Sequence, residues 1–464
     1  MLKKAVVSWV DDNQDELTDL ARKIWENPEE SLKEHFAFDL QKKHLEDQGF
    51  DITEYEDIPT GFMAEYGSGK PIFGLLGEYD ALKNLSQDAT PERKILKEGG
   101  PGHGCGHNLL GVGCLGATVA IKKLIEEGKI KGTIRYYGCP AEEMLLGKVL
   151  MAEQGAFNDL DASLTWHPSS ITVPWSGSLL SLRSVIFSFE GKSSHAGSAP
   201  QMGRSALSAV ELMNTGANYM REHLNDGSRV HYIINHGGNE PNTVPGEASV
   251  WYNVRADKRE TADEILSWLV DIAKGAAMMT QTKVSEIKIL AGSSEVLSNQ
   301  TLVGLLQKNM NELGGPDFTD EDRAFAEGIS KVFSDGDKKK GLEGNFIPLT
   351  YMDKYLHEGV ETSNDYGQSL KASTDVGDVS WITPLAMFGV ATWPLGTAAH
   401  TWQTTAASGS GMGYHGMHYA SKVLATSLID LYTDNDLLEK AKEEFVIETG
   451  GKEYTSVFDQ DFLD

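Results

Sequence analysis

Cysteine is scarce: three residues in 464, Cys105, Cys114 and Cys139. So small and odd a number argues against a disulfide framework and fits a reducing compartment. Basic charge is also short, with 41 Lys and Arg against 68 Asp and Glu, a formal net charge of −27. A surface of that sign repels nucleic acid and anionic membrane, although it does not select a substrate. No uninterrupted apolar run reaches about 18 residues, so no membrane span is expected. The opening stretch, MLKKAVVSWVDDNQDEL, meets acids after a short apolar run and does not read as a signal peptide. Neither an internal repeat nor a low-complexity tract is seen. A soluble, cytoplasmic protein of two or three domains is the expectation.

The texture of the chain is alternating strand and helix. Leu17, Leu20, Ala21, Ile24 and Trp25 recur at helical spacing, and Asn27-Pro28 breaks that helix before a second one that closes at Gly49. Residues 71–79, PIFGLLGEY, form an apolar strand leading to Asp80. A helix is predicted over 109–127, a strand over 133–139, a helix over 144–155 and a strand over 162–166. This order predicts an α/β fold with a mixed, largely parallel sheet flanked by helices. From about 179 the pattern becomes strand, helix, two strands, helix, strand, which is a split-βαβ, ferredoxin-like unit inserted in the first domain. The division is therefore 1–180 for the first part of the catalytic domain, 181–292 for the insertion and 293–464 for its second part. Residues 314–369 read as loops around short helices. A strand within 380–393 and a long helix over 414–433 restore the alternation.

One stretch carries a chemical signal, GGPGHGCGHNLL at 99–110. It sets Cys105 and His107 one residue apart in a glycine-rich turn just before a helix. Thiolate and imidazole suit zinc or a similar divalent ion. Other ligand-type residues fall at the C-terminal ends of strands: Glu142 and Glu143 after 133–139, His167 after 162–166, and His400 in GTAAHTWQ. Open α/β sheets build their sites there. Dispersed ligands of this kind mark a catalytic centre rather than a structural zinc. Five ligands among six candidates exceed one tetrahedral zinc and suit two ions about 3.5 Å apart, which lower the pKa of a shared water and polarise a carbonyl. The remaining carboxylate then serves as general base. Adjacent side chains point apart, so one of Glu142 and Glu143 can bind metal while the other faces substrate. His415 and His418, at i and i+3 of the last long helix, are an alternative metal pair.

The motifs GEYDAL (77–82), GHGCGHN (102–108), PAEE (140–143), WHP (166–168), GKSSHAG (191–197), EPNTVPGEASVWYNVRA (240–256) and STDVGDVSW (373–381) resemble the aminoacylase/carboxypeptidase family of di-metal amidohydrolases. The similarity spans nearly the whole chain. Within the family it is to the branch with a C-G-H ligand motif, which includes hydrolases of indole-acetyl amino acids, hippurate and p-aminobenzoyl-glutamate. The resemblance implies a di-zinc exopeptidase-like fold whose inserted domain acts as lid and dimerisation unit. It also implies two divalent ions, manganese or zinc, on Cys105, His107, Glu143, His167 and His400. Glu142 matches the general base, and Asp80 an acid that orients a ligand. His195 matches a residue that stabilises the oxyanion in a partner subunit, with Asn242 and Arg255 as substrate contacts. The implied substrate is an N-acyl or aroyl amino acid or a dipeptide. The implied assembly is a homodimer, or a heteromer with a related subunit. A dipeptidase or N-acyl-diamino-acid deacylase on the same scaffold is the alternative activity. A non-catalytic partner subunit that binds small acids is the alternative of another class.

Overall fold

The computed structural model describes residues 1–344 and 347–459. In chain order the strands are β1 (Asp51–Glu54), β2 (Phe62–Ser68), β3 (Ile72–Glu78), β4 (Gly132–Cys139), β5 (Ala162–Ser169), β6 (Val173–Trp175), β7 (Ser178–Leu179), β8 (Ser181–Glu190), β9 (Arg229–His236), β10 (Glu247–Ala256), β11 (Lys283–Ser293), β12 (Ser369–Leu370) and β13 (Leu385–Ala391). The chain divides into two compact units. The first holds Met1–Gly177, Leu297–Gln368 and Val379–Glu453. The second holds Ser178–Val296, Ser369–Asp378 and the C-terminal stretch from Tyr454.

The first unit is built on a seven-stranded sheet in the order β1-β2-β4-β3-β5-β13-β6. The four central strands, β4, β3, β5 and β13, are mutually parallel. Antiparallel pairs close both edges, β1 and β2 on one side and β6 on the other. The central strands are buried along almost their whole length, as in the all-buried pattern of β4 and β13. Parallel strands covered on both faces read as continuous apolar runs for this reason. Among the described residues one helix, His107–Glu126, is long and apolar enough by composition to cross a membrane, and 89% of that stretch is buried inside the protein. It is a core helix, apolar all round because it is covered all round. Trp166 on β5 fixes its first turn by donating from Nε1 to the Leu110 carbonyl at 3.1 Å. Helix Gly411–Thr433 packs beside it, and both feed Leu, Val and Ile side chains into the main core. Each such side chain contributes about 1.5–3 kcal/mol.

The second unit carries a four-stranded antiparallel sheet in the order β11-β8-β10-β9. Helices Ala206–Met220 and Arg259–Thr280 pack on it through Ala209, Val210, Met213, Leu266 and Leu269, against Val185, Phe187, Val250 and Tyr252. The element order β8, helix, β9, β10, helix, β11 is that of the ferredoxin-like insertion. The parallel pair β7 and β12 joins Ser369–Leu370 to this unit, so the stretch 369–378 does not group with the rest of 293–464.

Some elements depart from the sequence expectation. Helix Leu2–Asp12, the strand pair β1 and β2, and helix Asn435–Thr449 are present in addition to the predicted ones. The helix predicted over 144–155 starts only at Gly147. Ala141 and Leu145 both take left-handed backbone angles, φ 54°, and leave a single tight turn over Glu142–Met144. That turn places the acidic pair.

Candidate metal centre

Five segments deliver the site, and all arise at or beyond the C-terminal ends of the parallel strands. β3 ends in Glu78, with Asp80 two residues on. β4 runs into Glu142 and Glu143, β5 carries His167, and the segment after β13 carries His400. Cys105 precedes the core helix, whose first residue is His107. Gly106 between them has φ +78°, and a side chain there would meet Pro168 at 2.8 Å. Only glycine lets the turn close with both ligand-type side chains on one side. The His400 loop is tied to this turn by its own backbone N–H, which donates to the Gly104 carbonyl at 3.1 Å.

Three groups of ligand atoms converge. They are Cys105, His107 and His167; Cys105, Glu143 and His400; and Glu78, His107 and Glu142, the atoms of each group lying within 4.8 Å of one another. The separations are informative. Cys105 Sγ is 3.5 Å from His167 Nε2, and His400 Nε2 is 3.5 Å from Glu143 Oε2. His107 Nε2 is 3.3 Å from Glu78 Oε2 and 3.8 Å from Glu142 Oε2. An N–H···O hydrogen bond closes to roughly 2.7–3.2 Å. Donors held at roughly 2.0–2.3 Å from one ion, at near-tetrahedral angles, stand roughly 3.3–3.8 Å apart. The spacings fit side chains that could share an ion.

The imidazoles are already oriented for that. His107 Nδ1 lies 2.7 Å from Asp80 Oδ1, and His167 Nδ1 lies 2.7 Å from the Pro168 carbonyl. In each ring Nδ1 is engaged by an oxygen acceptor, which leaves Nε2 as the nitrogen that faces the cluster. His107 Nε2, Glu78 Oε2 and Glu143 Oε1 are buried and have no hydrogen-bond partner. One such orphan costs about 1–3 kcal/mol. Three of them, spread over these ligand groups, fit bound cations. The donor set of one thiol, three imidazoles and carboxylates suits zinc and manganese alike.

The electrostatics agree. Burial pushes the Glu143 carboxyl up to about 7. Burial, helped by Glu143, pushes the Cys105 thiol far above its ordinary value. His167 is lowered to about 4 by burial and by its neighbour His107. Burial also opposes charge on His107, but Cys105 and Asp80 outweigh it and hold this ring well above its usual pKa. The surroundings of Nε2 thus favour positive charge, whether proton or metal.

The structure brings Asp80, Cys105, His107, Glu142, Glu143, His167 and His400 into one cluster. His195, Asn242 and Arg255 lie in the second unit. There His195 pairs with Thr243 across a bridge, and the Asn242 carbonyl accepts the Ala196 N–H at 2.8 Å. Arg255 donates to the Ser373 hydroxyl at 2.8 Å. His415 and His418 belong to no ligand group among the described residues. His415 pairs with Asp322 at 2.7 Å, and His418 meets the Thr18 hydroxyl at 3.1 Å. Cys114 and Cys139 are core residues whose thiols face backbone carbonyls.

Sequence reasoning missed four residues. Glu78 is one, and fully buried Lys148, whose Nζ is 2.6 Å from Glu78 Oε1, is the second. The others are Ser31, which donates to Asp80 Oδ2 at 2.8 Å, and Glu34, whose Oε1 accepts the Ala141 N–H at 2.9 Å. The available signal for Glu78 was its place two residues before Asp80, hence on the same face of an extended chain.

Residues 178–278 match the family described as a peptidase dimerisation domain. One of the p-aminobenzoyl-glutamate hydrolase subunits of Escherichia coli (strain K12) is 38% identical over 439 residues, which cover 92% of this chain and 91% of that protein. The chain belongs to the M20 peptidase family. A second relative, the Xaa-Arg dipeptidase of Mus musculus, is 27% identical over 96% of this chain and 92% of its own length. Among solved structures, a Bacillus subtilis protein described as a dinuclear metal binding peptidase of the M20 family shares the fold, with a TM-score of 0.57, 17% identity, and coverage of 89% of this chain and 98% of that one. Membership of the M20 family makes this chain a hydrolase of amide bonds.

Proposed function

We propose that this M20 enzyme is a dinuclear metal amidohydrolase that cleaves the amide bond between an acyl or aroyl group and an amino acid, as in p-aminobenzoyl-glutamate. The observation that carries the reading is the convergence of three ligand groups, Cys105, His107 and His167, then Cys105, Glu143 and His400, then Glu78, His107 and Glu142, among which His107 Nε2, Glu78 Oε2 and Glu143 Oε1 are buried without a hydrogen-bond partner. The relative that is 38% identical along nearly its full length supports the substrate class. Trp175, with its ring centroid 5.8 Å from that of His167, supports a planar aromatic acyl group beside the centre.

In this reading Cys105, His107, Glu143, His167 and His400 hold two divalent ions, manganese or zinc. When bound, the ions lower the pKa of a water and polarise the amide carbonyl. Asp80 keeps His107 in the tautomer that presents Nε2. Glu142 takes a proton from the attacking water as the new C–O bond forms. It returns that proton to the amide nitrogen as the C–N bond breaks, and a carboxylic acid and an amine leave. His195 accepts the Gly197 and Ser198 N–H groups on Nδ1, each at 3.1 Å. Its remaining N–H, on Nε2, is assigned to the oxyanion of a partner subunit's substrate. Asn242 and Arg255 are assigned to the substrate carboxylate, for which Arg offers two parallel donors. The partner is a second copy or a related subunit, and the buried free cysteines fit a cytoplasmic setting.

The 27% identity to a dipeptidase along almost the whole chain favours a second substrate reading, a dipeptide. Elemental analysis of the purified chain, followed by assay of p-aminobenzoyl-glutamate, other N-acyl amino acids and dipeptides with added manganese or zinc, tests both. About two ions per chain and turnover of the aroyl substrate is the expected result. A chain that binds no divalent ion and turns over nothing in the panel overturns the reading.

A further inference from the structure

We propose that Glu78 is an additional metal-binding side chain, an oxygen donor to the ion that His107 holds. The inference rests on the dinuclear reading above and extends it to a residue outside the resemblance-derived ligand set.

Glu78 and Asp80 bracket one imidazole from its two nitrogens. Asp80 takes Nδ1 at 2.7 Å, while Glu78 Oε2 stands 3.3 Å from Nε2. Their surroundings differ. The Asp80 oxygens are satisfied by His107, by the Ser31 hydroxyl and by the Glu143 N–H. Glu78 Oε2 is buried without a hydrogen-bond partner, and the residue is 2% exposed. Its other oxygen is fixed 2.6 Å from Lys148 Nζ, on the helix that follows the acidic turn. Lys148 therefore sets the carboxylate so that the free oxygen faces His107.

With the proton of His107 on Nδ1, Nε2 is an acceptor, and a carboxylate oxygen is another. A buried carboxylate oxygen facing that nitrogen requires positive charge between them, either a second proton on the ring or a metal ion. A charge-assisted hydrogen bond through a shared proton would draw the atoms to roughly 2.7–2.9 Å. The observed 3.3 Å fits two donors on one ion. Glu142 Oε2, 3.8 Å from the same nitrogen, closes the group. An ion held by His107 would thus have carboxylate oxygen in addition to the sulfur of Cys105 and the imidazole of His167. Oxygen donors favour manganese, whereas a purely sulfur and nitrogen set favours zinc.

The test is calorimetric titration of the metal-stripped full chain with manganese chloride and with zinc chloride, together with metal stoichiometry. In Glu78→Gln the amide keeps its oxygen for Lys148 and turns its NH2 toward His107. The double variant Glu78→Met with Lys148→Met removes both charges, which separates a lost donor from a stranded buried lysine. Expected is a fall of about 10–100-fold in manganese affinity at one site in both variants, a smaller fall for zinc, and an unchanged second site. Wild-type manganese affinity and stoichiometry in both variants overturn the role of Glu78. A wild-type chain that binds neither ion overturns instead the dinuclear reading on which it rests.

Discussion

Asp80 holds two site residues through one carboxylate: Oδ1 lies 2.7 Å from His107 Nδ1, and Oδ2 accepts the Glu143 backbone N–H at 2.9 Å. The imidazole tautomer and the path of the acidic turn therefore depend on the same group. Asp80→Asn replaces one of those acceptors with a donor. Metal affinity is expected to fall about 10–100-fold, the usual effect of losing a partner behind a ligand. Titration of the metal-stripped variant checks this, and wild-type affinity would remove the orienting role.

Glu142 and Glu143 are adjacent but belong to different groups, Glu142 with Glu78 and His107, Glu143 with Cys105 and His400. Glu142→Gln is expected to lower kcat by about 10²–10⁴-fold while the metal content stays at the wild-type level. Glu143→Gln is expected to lose metal along with activity. Elemental analysis of both proteins beside one kinetic assay separates the roles. Equal metal loss in the two variants would erase the distinction between base and ligand.

The places where the sequence and the structure part are instructive. β3 and β4 were legible because strands buried on both faces are unbroken apolar runs, and their ends marked where ligands gather. β1 was not legible. Its residues Asp51, Thr53 and Glu54 are exposed, and DITE has none of the composition of a buried strand. The short helix after the acidic turn was misjudged because left-handed angles at Ala141 and Leu145 are imposed by tertiary contacts, which local propensity does not record. Glu78 looks like a solvated strand end in sequence. Its burial depends on Lys148, which lies 70 residues later and reaches it at 2.6 Å. Cys105 and His107 were visible because both sit in one short motif, whereas the convergence of His167 and His400 upon them belongs to the sheet topology.

Burial keeps the Cys105 thiol protonated in the neutral range, since its pKa stands far above the ordinary value. A metal takes the thiolate, so binding must expel that proton. Divalent-ion affinity is expected to rise with pH, with release of at least about one proton per chain. Calorimetry in buffers of different ionisation enthalpy measures the release directly. Cys105→Ser should lower zinc affinity more than manganese affinity, because the soft donor is the one removed. Equal losses for the two ions would argue against sulfur ligation.

The acidic turn is closed by Gly147. A Cβ there would sit 1.7 Å from the Pro140 carbonyl oxygen, which is backbone and has no room to yield. Gly147→Ala is therefore expected to destabilise the protein by roughly 1–3 kcal/mol and to weaken metal binding, since Glu142 and Glu143 lie within the displaced turn. Urea unfolding and metal titration of the same preparation check both effects. A variant with wild-type stability would mean that the turn relaxes at no cost.

Glu34 braces the other side of that turn. It is fully buried, its Oε1 accepts the Ala141 N–H at 2.9 Å and its Oε2 accepts the Thr60 hydroxyl at 2.8 Å. Burial first, and then the charge of Asp80, push its pKa from 4.5 up to about 7. Between those values the folded protein retains a proton that the unfolded chain releases. The contribution of Glu34 to stability is therefore complete below pH 4.5 and is lost as the pH rises to about 7. A shift of this size corresponds to at most roughly 3 kcal/mol. Glu34→Gln stays neutral throughout and shows no such loss, and any change in its hydrogen bonds is a constant offset. Relative to wild type, the variant is expected to gain roughly 1–3 kcal/mol across that window, measured by urea unfolding in the presence of a chelator. Parallel curves for the two proteins would show that Glu34 does not titrate there.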